Sequence, residues 1–315
     1  MSGSLTSSLG FLTARVNALR LRRFELSVTL DRPSGVYAPG ETIHANIVFH
    51  SPADLRVHEA RITLLRRERY ERRDGHDMDD DESETSTSAS LLCQVDEKEI
   101  AGQVVLRDAR LPARTRRAYT FTASSPASAH PTWRGGKIVD LAWLVRATIH
   151  DGQGSTHMAQ QELVVANAPI RLPGSGGEFG RATSDAVAKL GFALTGKEWL
   201  TGDAIDGHLI IQPQQDVDVS GVRVELERIE LVTEGTDHTA REKWTARLAD
   251  RTHLPAGPTV ALPFTVAIPH PRPVSGRTAR AAVFWLLRGV LESGGLLPDV
   301  CVEEDIYVYA GQKPS

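Results

Sequence analysis

At 315 residues, with 41% hydrophobic and 24% charged residues, the chain has the length and composition of two ordinary globular domains. A net charge of −4 speaks against a general nucleic-acid binder, and no apolar run reaches the roughly 20 residues of a membrane-spanning helix. The two cysteines, Cys93 and Cys301, form no CxxC pair, so they imply neither a disulfide framework nor a zinc site, and a cytoplasmic setting is expected.

Residues 1–23 form a leader: Ser-rich sequence, then FLTARVNALRLRR. Arg15 and Asn17 break its apolar stretch and the charge follows rather than precedes it, so it is not a signal peptide. Leu12, Val16 and Leu19 lie at helical spacing, which predicts a short helix. It either frays or packs on the protein's own sheet, or, in the alternative reading, touches a membrane or a partner.

From Phe24 to Phe49 the pattern is strand, turn, strand. Phe24, Leu26, Val28 and Leu30 alternate with polar residues, Pro39-Gly40 makes a turn, and Ile43, Ala45, Ile47 and Phe49 resume the alternation. The design returns at Ala186–Ile211, where Gly202 answers Gly40 at an offset of 162. Farther on, Trp143-Leu144-Val145-Arg146 answers Trp285-Leu286-Leu287-Arg288 at an offset of 142. The run Asp74–Ser90, without counterpart in the second copy, accounts for most of the difference.

The first domain is read as residues 24–168, with strand at Leu55–Leu64, a mobile acidic loop at 74–90, and strands resuming at Ile100. Arg66, Arg67, Arg69, Arg72 and Arg73 precede that loop. They are candidate contacts for a phosphorylated partner, or balance the acids of the same hairpin. Asp77, Asp79, Asp81 and Glu82 have the alternation of a Ca²⁺ loop but lack its glycine turn and distal glutamate, so no metal is assigned. Residues 169–185 read as linker; Gly174–Gly177 within it lack the Lys-Ser/Thr of a phosphate loop. The second domain, 186–311, carries seven predicted strands and one further candidate contact, Trp199. The fold class is therefore all-β: two tandem antiparallel β-sandwich domains, immunoglobulin-like, with Pro39, Gly40 and Gly202 as structural turn residues.

Tyr37-Ala38-Pro39-Gly40-Glu41, preceded by Leu30-Asp31-Arg32 and followed by an alternating strand, resembles the opening of arrestin-fold proteins. Phe121–Pro131 with Trp143, and Phe264–Pro273 with Trp285, fit the same pattern, closest in style to bacterial arrestin-like proteins such as the sporulation-control family. The resemblance implies a non-enzymatic intracellular adaptor or scaffold that binds a protein partner through sheet edges or the groove between domains. The family's buried polar core has no matching residues identified, and Asp31 and Arg32 alone do not supply it. The eleven histidines are scattered, with no HExxH and no GxSxG motif, so no catalytic residue and no cofactor are assigned. A membrane-peripheral module anchored by the leader is the alternative.

Overall fold

The computed structural model describes residues 24–73, 91–166, 181–182, 187–196, 198–234, 238–293 and 298–310. The leader, the acidic loop 74–90, its Ca²⁺-like residues and the glycines of the linker lie outside the described residues. Among the described residues no helix is long and apolar enough to cross a membrane.

The first half contains β1 (Glu25–Leu30), β2 (Val36–Tyr37), β3 (Thr42–Ser51), β4 (Leu55–Arg73), β5 (Leu91–Leu111), β6 (Thr115–Ser124), β7 (Val139–Asp151) and β8 (Thr156–Val165). Its strands form a three-stranded sheet, β1-β3-β6, and a five-stranded sheet, β2-β8-β7-β4-β5. The second half contains β9 (Arg181–Ala182), β10 (Ala188–Leu194), β11 (Glu198–Leu200), β12 (Ala204–Pro213), β13 (Val217–Val232), β14 (His238–Ala249), β15 (Thr252–Leu254), β16 (Val260–Ala267), β17 (Gly276–Arg277), β18 (Ala281–Ser293) and β19 (Val300–Tyr309). Its sheets run β10-β12-β16 and β11-β19-β18-β13-β14, with β9, β15 and β17 as short flanking strands. The protein is all-β, and one strand order occurs twice, down to the short parallel pairs β2–β8 and β11–β19 among otherwise antiparallel ladders.

The side chains repeat as well. The strands β3 and β12 share one burial pattern, with Ile43, Ala45 and Ile47 of β3 and Ile205, Leu209 and Ile211 of β12 turned inward. In the first half Phe49 clusters with Val57 and Ile149 of the opposite sheet. In the second, Gly289 lies so close to the facing sheet that a Cβ there would stand 2.5 Å from Leu209 Cδ1. The Trp143 indole donates to the His130 carbonyl at 3.0 Å, and Trp285 donates to the Pro273 carbonyl at 3.1 Å. The turns correspond too: Glu41 accepts from the Ala38 amide at 2.8 Å, and Asp203 accepts from the Leu200 amide at 3.1 Å. Both glycines have a left-handed backbone, with φ of 81° at Gly40 and 89° at Gly202.

Three sequence expectations change. Strand does not resume at Ile100: β4 continues to Arg73 and β5 begins at Leu91, so the hairpin is longer than its composition suggests. Strand β14, His238–Ala249, likewise extends beyond Lys243–Leu248, the alternating run that is one of the seven predicted strands. Within the expected linker, Arg181 and Ala182 pair with Glu303 and Val302.

Substituting Gly40→Ala or Gly202→Ala places a Cβ in a left-handed conformation, and each is expected to lower stability by about 1–2 kcal/mol. Urea unfolding of the two variants checks this; an unchanged midpoint in either would contradict the equivalence of the turns.

Candidate functional site

Strand β4 sorts the arginines before residue 74 onto opposite faces, because successive side chains of a strand point opposite ways. Arg66, Glu68 and Tyr70 continue the inward row of Ile62 and Leu64, whereas Arg67 and Arg69 lie on the outer face. Arg72 is half-buried in the inward phase, and Arg73 closes the strand opposite Leu91. The expected five-arginine patch is therefore not one surface.

The inward row meets the second half. Glu68, 2% exposed, accepts the Thr278 hydroxyl at 2.5 Å. The reciprocal contact uses the counterpart strand: Glu230, 1% exposed, accepts the amides of Lys137, Ile138 and Val139 at 3.0, 2.8 and 3.3 Å. Arg66-x-Glu68 and Arg228-x-Glu230 are 162 positions apart, the offset of the repeat. Each half thus inserts a buried glutamate beneath the segment preceding the other half's central strand. Arg228 pairs with Glu230 at 2.6 Å and Glu242 at 2.9 Å, whereas Arg66 stands 3.6 Å from Glu68. Between the two clasps, Trp133 packs on Gly276, where a Cβ would come within 3.1 Å of the indole nitrogen. Tyr70 donates to Glu234 at 2.8 Å, and burial followed by this bond pushes its phenol up to about 12. Arg280 joins Glu234 and Asp96, the latter on β5, across the same junction.

Several donors in this junction are buried without a partner: Nε of Arg66, Nε and Nη1 of Arg228, and the Trp133 indole N–H. Burial lowers the pKa of the Arg228 guanidinium below its ordinary value despite Glu230 and Glu242. His130 sits nearby, half-buried, and burial together with the Arg66 charge lowers its pKa. Lys98 acts in the same direction; Glu68 and the Arg277 backbone oppose it.

On the outer face beside the junction lies a groove of about 500 Å³ lined by Arg67, Arg69, Val95, Trp133, Arg134 and Asp140, among others. Its cations are largely engaged: Arg69 pairs with Asp140, and Arg134 with Glu162 at 2.7 Å. Arg146 holds Glu97 bidentately at 2.6 Å and keeps that carboxyl below its ordinary pKa. Next to the groove runs β5, the edge of the five-stranded sheet. Four of the six exposed large hydrophobic residues among those described are on it: Leu91, Leu92, Val95 and Val104.

Trp199 occupies the position of Tyr37 in the repeat and is 6% exposed, so it anchors the core and offers no surface to a partner. Asp31 and Arg32 serve the first turn: Tyr37 donates to Asp31 at 2.6 Å, lowering the pKa of that carboxyl, and Arg32 pairs with Glu41. No group of three or more His, Cys, Asp or Glu able to hold a metal occurs among the described residues. Sequence reasoning passed over Glu68, Glu230, Thr278, His130 and Leu91–Val95. The available signal was an Arg-x-Glu in the buried phase of the same strand in both copies. No protein-family model matches the chain, and no curated protein matches it significantly.

Glu230→Ala strips the acceptor from three amides and leaves Arg228 under-compensated, an expected loss of about 3–5 kcal/mol. Glu68→Ala releases one hydroxyl and a looser arginine, about 1–3 kcal/mol. Equal losses in chemical denaturation would contradict the unequal clasps. His130 has a folded-state pKa below the ordinary 6.5, so its contribution is fully present above that pH. It is lost as pH falls through the lowered folded-state value. The stability lost between pH 7 and pH 5 is expected to shrink in His130→Asn; an unchanged loss would remove His130 from the pH response.

Proposed function

We propose that the chain is a non-enzymatic intracellular adaptor or scaffold, arrestin-like in plan, that holds a protein partner at a sheet edge beside the junction of its halves. The observation that carries this reading is that β5 has no further strand beside it among the described residues, with Leu91, Leu92, Val95 and Val104 exposed along it. A long edge strand presents unpaired amides and carbonyls, and in a protein that does not use them such an edge is normally blunted by charge or covered. Exposed apolar side chains beside an open backbone are the ingredients of strand addition.

The supporting features are mechanical. Two β-rich halves clasped by buried glutamates give a stiff platform, so an edge need not be ordered anew when it is occupied. Cys93 carries a free thiol, which suits a reducing compartment.

The reading predicts that the full chain, immobilised and exposed to native extract, enriches at least one protein over an unrelated β-sandwich control. That protein, once purified, is expected to bind the purified chain with a Kd in the micromolar range or tighter by calorimetry. If every enriched protein fails to bind in purified form, the adaptor reading falls.

A further inference from the structure

We propose that Leu91–Glu99 of β5 is a strand-addition site for an extended segment of a partner protein. The segment would carry apolar side chains against Leu91 and Val95 and a basic one against Glu97. This rests on the partner-binding reading and adds the place and the chemistry.

Most of β5 is unsuited to receive a strand. Leu64 pairs with Ala101 and Leu65 with Glu99, so Ile100 is an extra residue; Ala60 pairs with Leu106 and Arg61 with Val104, so Val105 is another. Asp108 adds a left-handed backbone, φ 46°. Bulges of this kind twist an edge and interrupt its hydrogen-bonding row. From Leu91 to Glu99, by contrast, the register against Leu65–Arg73 is unbroken. The regular stretch is also where Leu91 and Val95 are each 54% exposed and Leu92 is 43% exposed.

The other half supplies an internal control. Strand β14 occupies the same edge position, and its exposed residues are Thr239, Arg241, Lys243, Thr245 and Arg247. One of two topologically equivalent edges exposes only polar side chains, and the other exposes leucine and valine beside Glu97, Lys98 and Glu99.

Charge selects the occupant. On the outer face, Arg67 and Arg69 of β4 stand directly opposite Glu97 and Val95 of β5. Farther along, Glu99 is held by Arg61 at 2.5 Å. Glu97 is also held by Arg146, so on this face the arginines of β4 and β7 are followed by Glu97 and Glu99 of β5, with no further strand beyond them among the described residues. Directly opposed unlike charges stabilise neighbouring strands and like charges oppose pairing, so the next strand is basic opposite Glu97 and Glu99. Opposite Leu91 and Val95 an apolar side chain covers surface that water now touches.

The probe is a fluorescein-labelled peptide, Lys-Thr-Lys-Thr-Ile-Thr-Thr-Val-Ile. Laid antiparallel, it places lysines opposite Glu99 and Glu97 and isoleucines opposite Val95 and Leu91. Fluorescence anisotropy with the full chain is expected to show saturable binding. Val95→Lys is expected to weaken it at least tenfold, as is exchanging both peptide lysines for glutamate. Val104→Lys, in the bulged stretch, is expected to change it less than twofold. Both substituted side chains are exposed, and unchanged thermal melts confirm intact folding. Absence of saturable binding, or equal loss in Val104→Lys and Val95→Lys, overturns the proposal. Sedimentation showing a dimer abolished by Val95→Lys assigns the edge to a second copy and also overturns it. If a purified partner found by capture binds Val95→Lys undiminished, this site is wrong while the adaptor reading stands. If peptide binding follows the expected pattern but no partner is found, the edge is real and the adaptor reading is what fails.

Discussion

The arrangement of the molecule depends on two carboxylates taken out of water. Transferring an ion into a protein interior costs several kcal/mol unless charge-assisted hydrogen bonds and counter-ions replace its hydration. Glu230 receives three consecutive backbone amides and Arg228, so its replacement shell is nearly complete. Glu68 receives the Thr278 hydroxyl and a distant Arg66, a thinner shell. Each arginine comes from the glutamate's own strand, but the hydrogen-bond donors come from across the junction, so neither shell is complete unless the two halves are together. The junction is isologous in form: the same patch of each copy faces the other, and the equivalent residues Trp133 and Gly276 meet near its centre. The equivalence is broken in detail. A duplicated chain is free to diverge at such a junction, and one clasp here has become the stronger.

This clasp explains a feature that composition opposes. Strand β4 runs through RRERYERR, a sequence polar enough to read as a loop. It remains strand because its inward phase has somewhere to go: Glu68 to Thr278, Tyr70 to Glu234, and the Tyr70 ring beneath Arg280. Strand β5 is then drawn out alongside it, since each residue from Arg73 back to Leu65 pairs with a residue of β5. The exposed stretch Leu91–Val95 is thus a by-product of the junction. Inward contacts extend β4, β4 extends β5, and the extension carries β5 into a region where no further strand covers it among the described residues.

Much of this was legible in the amino-acid order, and the illegible part has a physical cause. Period-two alternation placed Ile43, Ala45 and Ile47 in a core, and Gly40 and Gly202 at turns, because burial and left-handed backbone act locally. Trp199 misled, since an aromatic residue beside a turn looks the same in sequence whether it points inward or outward; its match to Tyr37 was the deciding clue. The arginine cluster misled for the opposite reason. Adjacent charges read as one patch until the strand is drawn, and then alternate members face different environments. The glutamates were harder still. A buried charge violates the alternation rule at that position, and its justification lies about 90 residues away for Glu230 and about 210 for Glu68. Only the recurrence of Arg-x-Glu at the repeat offset marked it, and that mark gains meaning once both partners are seen together.

The contrast between the two sheet edges completes the physical account. Both halves place an equivalent strand at the sheet edge, and both face the same hazard, because open backbone invites pairing. In β14 the hazard is met with arginine, lysine and threonine on the exposed face. In β5 it is met by bulges at Ile100 and Val105, but only past Glu99. Had the whole edge been under pressure to stay unpaired, charge at Leu91 and Val95 would have been the simplest solution, since both side chains already face solvent and neither supports the core. Keeping them apolar gives up solubility with no gain to the fold. On the strand-addition proposal, the compensating gain lies at the interface that would cover them.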